Sequence, residues 1–347
     1  MRATPISTIA RALTATVVVG LGVLFLWLTI KVDLVIFAGI LLAIVLRRLA
    51  EWVSRLAGIT VGWALALVLF SIVVVGAGIG LFFSQQIAGQ IEQLSVQLPA
   101  AFNTVANGIK QSSVGKALMA HVDVGGLKAS PMQIAGEFFG VATGAVEVVG
   151  AAIVILVIGV YGAAEAKLYV DGALRLVPLG RRPRAAEILR ETAAAIWYWL
   201  LGRLLSMTLL GILAMVGLWA LGVPLPFSLG FLVGIMSFVP YLGSIASAVP
   251  SVLIAAATSF NVALYVIILF LGLHLIEGYL VVPLVQRRLV HLPPALTLAA
   301  QIILGVLAGI IGLLVATPLV AAGIVLVRMI YVEDVLGDRI PSRSERA

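Results

Sequence analysis

Residues 230–250 read GFLVGIMSFVPYLGSIASAVP, a stretch apolar enough for lipid yet broken at its middle by Pro240, Tyr241, Leu242 and Gly243. A proline break leaves backbone groups without helical partners, and each such group costs several kcal/mol in hydrocarbon. A break of this kind survives only against protein or a water-filled cavity, so the segment is expected to line a path through the molecule.

The remainder of the chain sets the break in a membrane. Hydrophobic residues make up 62% of the 347 and charged residues 11%, with a mean hydropathy of +1.20; soluble domains run at about 45–50% and 25%. The expected fold class is an all-α polytopic membrane protein. The absence of cysteine excludes disulfide frameworks, thiolate metal sites and cysteine nucleophiles. The net charge of +7 would suit nucleic acid, but the basic residues gather between apolar runs. Arg47, Arg48 and Arg55 follow the second run, Lys167, Arg175, Arg181, Arg182, Arg184, Arg190 and Arg203 follow the fourth, and Arg328, Arg339, Arg343 and Arg346 close the chain. This is positive-inside asymmetry. No extramembrane basic fold with stacking aromatics accompanies it, which argues against a nucleic-acid partner.

The order of runs divides the chain. Residues 1–83 are expected to hold three membrane helices, of which Leu13–Ile30 and Leu34–Leu46 are joined by a turn at Lys31–Asp33. Residues 84–137 form an external insertion of short amphipathic helices, residues 138–163 a fourth membrane helix, and residues 164–199 a basic cytoplasmic insertion that contacts anionic headgroups. Residues 200–330 make a C-terminal transport block, and 331–347 a cytoplasmic tail. About eight hydrophobic elements result.

Two long broken runs, Pro226–Ala257 and Pro294–Arg328, flank one intact run, Val262–Val285. Counted as single crossings they give eight spans and leave Arg287 and Arg288 outside, against the charge rule. Read as re-entrant hairpins, the first dips from outside and the second from inside, and both arginines face the cytoplasm. The hairpin reading is favoured; it matches the inverted broken helices that recur in secondary transporters. Both readings give a multi-pass protein of the plasma membrane with cytoplasmic N- and C-termini.

Within the block, Glu277 carries the expectation of function. A carboxylate inside an apolar helix costs at least ~2.5 kcal/mol on insertion scales, so it faces the bundle interior and marks a path or relay. His274, three residues earlier on the same face, could exchange a proton with it or share a cation. Glu147, within the fourth span, is the second candidate for coupling. Ser237, Tyr241, Ser244 and the shape-setting Pro240, Gly243, Pro250, Pro283 and Pro318 are the candidates for a substrate path, through hydroxyls and half-helix ends. Hydroxyls here have a duller use as well, in bonding freed carbonyls of their own helix. Arg203, about one turn inside its span, is expected to snorkel to the inner mouth. Glu277→Gln is expected to fold and insert but lose transport, since it removes the ionisable group while relieving a burial cost.

The run Ser237–Gly243 (SFVPYLG), Pro250, the stretch Glu277–Pro283 (EGYLVVP), the stretch His291–Pro294 (HLPP) and the glycine-rich stretch Gly309–Pro318 (GIIGLLVATP) resemble, in series, the AI-2E family of bacterial and archaeal transporters. The resemblance covers essentially the whole chain. It implies a multi-span permease-like protein in the lipid bilayer. Members have been associated with export of autoinducer-2 and with sodium/proton antiport, so it implies a small polar solute or ion, with H+ or Na+ as coupling candidates, and leaves the substrate open. Where the family often carries a Gly-Gln pair at the start of the fifth span, this chain reads Gly202-Arg203. No cofactor or metal is expected, and a homo-oligomer is left open. The chain lacks H-E-x-x-H, a Walker loop and a G-x-S-x-G elbow, and an enzyme reading would rest on Ser237 with His274 alone. A membrane scaffold without transport is the alternative function.

Overall fold

The computed structural model describes residues 5–78, 93, 100, 141–281 and 292–338. Its helices are α1 (Pro5–Ala57), α2 (Val61–Gly78), α3 (Val141–Ala164), α4 (Ala166–Arg175), α5 (Arg182–Ala220), α6 (Pro226–Met236), α7 (Leu242–Thr258), α8 (Phe260–Ile276) and α9 (Pro294–Leu326). Among the described residues there is no strand. Among the described residues, five stretches are long and apolar enough to cross a membrane, and a sixth arises if α3 and α4, bent by 85°, are taken together. The protein is an all-α polytopic membrane protein. Nearly all of the insertion expected at 84–137 lies outside the described residues.

The N-terminal part differs from expectation. Helix α1 is unbroken through Lys31–Asp33, where a turn between two spans was expected. The Thr29 hydroxyl donates to Asp33 Oδ2 at 2.8 Å and lies 2.9 Å from the Phe25 carbonyl, so the polar side chains here bond one helical turn apart and do not open the backbone. The far end of α1 packs with α2 and α3 through Leu46, Ala50, Ala64, Leu65, Val68 and Ala163. Arg47 adds a bond to the Ala163 carbonyl at 3.3 Å, close to the C-terminal end of α3.

Helices α6 and α7 form a hairpin. With 11 and 17 residues they rise only about 16 and 25 Å, short of a ~30 Å hydrocarbon core. Leu229 near the start of α6 packs on Ile254 and Ala255 near the end of α7, which requires the two to run antiparallel. The same cluster holds Leu218 from the end of α5 and Ala263 and Val266 from the start of α8. The open end of this hairpin therefore lies level with the C-terminal end of α5.

Helix α9 folds back in the same way. Gly309 has φ 61° and ψ −141°, a backbone conformation outside any helix. Gln301 Nε2 donates to Thr317 Oγ1 at 3.1 Å; sixteen residues apart in a straight helix, the two would be separated by about 24 Å. The backbone therefore reverses at Gly309 into arms of about 22 and 25 Å. A Cβ at Gly312 would collide with the Leu304 carbonyl, so the turn closes only around a glycine.

The second hairpin opens the opposite way from the first. Val325, at the end of its far arm, and Met329, just past it, pack on Ile188 and Ala195 in the N-terminal half of α5. Arg184 fixes that end: its guanidinium reaches Glu187 at 2.9 Å, Glu333 at 2.7 Å, Asp334 at 3.1 Å and the Met329 carbonyl at 3.2 Å. The turning region, with Leu304, Ala308, Ile311 and Val315, packs on α1 around Leu34. Two hairpins thus open toward opposite ends of α5.

Candidate functional site: a buried ion pair at the first hairpin

Buried residues of α5 recur at helical spacing as Trp199, Arg203, Ser206, Leu210, Ala214 and Leu218. This stripe faces α6, the turn of the first hairpin and α8. Trp199 and Arg203, one turn apart, grip a single residue of that turn. The Trp199 ring meets Phe238 edge to face at a centroid distance of 5.8 Å, and Arg203 Nε donates to the Phe238 carbonyl at 3.0 Å. A carbonyl set loose by the break thereby gains a charged donor.

Arg203 does not snorkel to an inner mouth. It is 7% exposed, and its Nη1 donates to Glu277 Oε1 at 2.8 Å. Glu277 is equally buried, at 7%. It begins a wide, π-helical turn, Glu277–Val281, that continues α8; such turns re-aim side chains and recur at functional sites. The expected release of a burial cost by Glu277→Gln is overturned by the pairing, because the glutamine would leave a buried guanidinium without its counter-charge. His274 is exposed, and no hydrogen bond joins it to Glu277.

The turn itself is strained. Tyr241 has φ 64° and ψ −60°, and Leu242 N–H bonds the Pro240 carbonyl at 2.7 Å, the rare form of γ-turn. A Cβ at Gly243 would collide with the Met236 carbonyl, so α7 can start this close to the end of α6 only with glycine. Ser244 Oγ lies 3.5 Å from Glu277 Oε2, a long contact. Ser237 is wholly buried and its Oγ has no partner. The Nη2 of Arg203 and the Oε1 of Gln301 are likewise buried and unpartnered.

A cavity of about 540 Å3 adjoins this constellation. Ser237, Tyr241, Ser244, His274 and Glu277 border it, and Leu298 from the first arm of the second hairpin also lines it. Both hairpins and α8 therefore meet at one space.

Other expected residues fall elsewhere. Pro250 is buried inside α7, and Pro318 inside the far arm of α9, neither at a turn. Ser247, which also lines the cavity, and its neighbour Ser251 bond carbonyls of their own helix, those of Ser244 and Ser247, each at 3.1 Å. Glu147 lies on α3 with its side chain outside the described set, and Pro283, Arg287, Arg288 and His291 lie outside the described residues. Sequence reasoning missed Trp199, Gln301 and Thr317. The spacing of Trp199 to Arg203 was a usable signal, whereas Gln301 and Thr317 become partners only through the reversal at Gly309.

Two inverted hairpins meeting around a buried ion pair and a cavity define a polytopic membrane protein with the build of a transporter. The comparisons carry the assignment further: residues 13–331 match the pattern of the AI-2E family transporter, and the chain belongs to that family. Similar proteins include "Putative transport protein YrrI" of Bacillus subtilis (strain 168), 33% identical over 156 residues that cover 45% of this chain and 44% of that protein. "Putative transport protein YueF" of the same organism is 26% identical over 149 residues, 43% of this chain and 40% of the relative. "Putative transport protein MT0215" of Mycobacterium tuberculosis (strain CDC 1551 / Oshkosh) is 36% identical over 106 residues, 30% and 29%. The matched stretches span less than half the length of these relatives.

Proposed function

We propose that the chain is a secondary transporter of the plasma membrane, not an enzyme, which moves a small solute between the two hairpins and couples the movement to protons. The observation that carries this reading is the Arg203–Glu277 pair, buried beside the cavity and bonded to the turn of the broken helix. Deprotonated Glu277 holds α8 to α5; a proton on Glu277 cancels that attraction while Arg203 keeps its bond to the Phe238 carbonyl. Loss of the pair would let the π-helical turn and the first hairpin part.

For orientation we place the basic segment around Arg175–Arg184 and the C-terminal end of the chain in the cytoplasm, following the positive-inside rule. The first hairpin then opens outward and the second inward. Because α1 is unbroken, a single crossing with Arg47, Arg48 and Arg55 inside puts its N-terminal end outside, a revision of the cytoplasmic N-terminus read from the sequence. In a chain without native cysteine, Ser7→Cys and Ser259→Cys should label from outside, and Leu336→Cys only after permeabilisation.

The test of function is flux in proteoliposomes under an imposed pH gradient. Wild type should dissipate the gradient; Glu277→Gln, at matched insertion, should lose that dependence. Equal proton flux in both would leave the pair a structural element and favour the scaffold reading.

A further inference from the structure

The lining of the cavity changes character along its length. At the turn of the first hairpin it offers Ser237, Ser244 and Glu277; farther along α7 and α8 it offers Ala248, Val252, Ile267, Phe270 and Leu271. The apolar end is not closed by protein: Ile267 and Leu271 are 42% and 61% exposed on a helix that carries apolar surface toward lipid. The polar end is buried and holds an unpartnered hydroxyl, Ser237 Oγ, on a residue with no exposed surface. An unpartnered buried hydroxyl is a cost that a ligand group can remove. A volume of about 540 Å3 falls within the ~300–1,000 Å3 of sites for drug-sized molecules, and exceeds what a small ion needs.

We propose that this cavity takes a neutral amphiphile admitted from the bilayer, its apolar body along α7 and α8 and a hydroxyl or amide group at Ser237 and Glu277. The inference rests on the transport reading and names its class of substrate, in place of the small polar solute suggested by the resemblance. The preference for a neutral head follows from the ion pair. Arg203 offsets the charge of Glu277, so the polar end presents a carboxylate oxygen, hydroxyls and the His274 imidazole but no fixed net charge. Glu277 Oε2, with only the 3.5 Å contact to Ser244, can accept from a ligand hydroxyl or N–H; Ser237 Oγ can both donate and accept.

The experiment is photo-crosslinking of the intact protein in lipid nanodiscs with 1-dodecanol carrying a mid-chain diazirine. Labelled peptides should map to α7 and α8, and decan-1-ol should compete, with decanoate, decylamine and decane markedly weaker. Ser237→Ala should weaken decanol competition about 3–10-fold, the share of one hydrogen bond. Ala248→Phe, which fills the apolar part, should cut labelling several-fold while leaving thermal stability close to wild type. Equal competition by decane would show a crevice filled by lipid chains and overturn the proposal, as would labelling untouched by both substitutions. Cross-links between two copies at Ile267 or Leu271 would overturn it in favour of a subunit interface. Proton flux separates the two readings: flux that needs Glu277 without decanol binding removes only the amphiphile, whereas binding without flux removes only the transporter.

Discussion

The first hairpin turns through five residues, 237–241, with Tyr241 held in a left-handed, strained conformation, whereas the second turns around one glycine, Gly309, whose positive φ carries no Cβ penalty. The first is gripped at its turn by Trp199 and Arg203 and lies against a buried carboxylate. The second is apolar where it turns, packing Leu304, Ala308 and Ile311 on α1, and keeps its polar pair, Gln301 and Thr317, between its own arms. Both need a glycine just past the turn, Gly243 or Gly312, to let the arms close. The same backbone device serves different ends. In the second hairpin the polar side-chain bond stays between the two arms, and the turning region packs on α1. In the first, the freed carbonyl, the strain and the charge are all referred to other helices, so any motion of α5 or α8 is felt at the turn. Strain of about 1–3 kcal/mol at a residue like Tyr241 persists only when its surroundings hold it.

The largest effect expected from breaking this comparison is all-or-none. Gln301→Cys with Thr317→Cys should form an intrachain disulfide under mild oxidation, read as loss of thiol labelling. A straight α9 would keep the two about 24 Å apart and yield none. Next is the ion pair. Arg203→Met or Glu277→Gln alone should lower stability by about 3–5 kcal/mol, because each leaves a buried charge or acceptor unpaired, and Arg203→Met with Glu277→Leu should recover most of it. Chemical unfolding in detergent micelles measures this, and additive losses in the double variant would remove the pair as a unit.

Smaller, and shared by both hairpins, is the effect of Gly243→Ala and Gly312→Ala. Each should cost about 1–3 kcal/mol through collision with a carbonyl, with Gly243→Ala also lowering proton flux because its hairpin borders the ion pair. A fall in flux from Gly312→Ala as large as that from Gly243→Ala would erase the distinction drawn between the hairpins. The smallest change is expected for Gln301→Leu, which removes one hydrogen bond and one unpartnered oxygen together; stability should stay within about 1 kcal/mol of wild type.

Much of this architecture was legible before folding. The motif Ser237–Gly243 marked a break because proline and glycine act locally, and Glu277 stood out because a carboxylate in hydrocarbon demands a reason. Less legible was the second reversal. Pro318 looked like a breaker but sits inside a helical arm, while Gly309 makes the turn. A glycine reports that a turn is allowed, not that packing requires one. The turn expected at Lys31–Asp33 failed for a related reason: Thr29 and Asp33 satisfy each other within the helix, so polarity alone did not break it.

The sequence by itself determined the solvent of this protein and several of the positions where helical bonding must fail, since hydropathy and backbone chemistry depend on residues close along the chain. Only the tertiary structure decided which partners those failures find. Arg203 and Glu277 are 74 residues apart and meet because α5, α8 and the first hairpin pack in one register; a shift of one residue, about 100° of helix rotation, would turn Arg203 away from Glu277 and the Phe238 carbonyl.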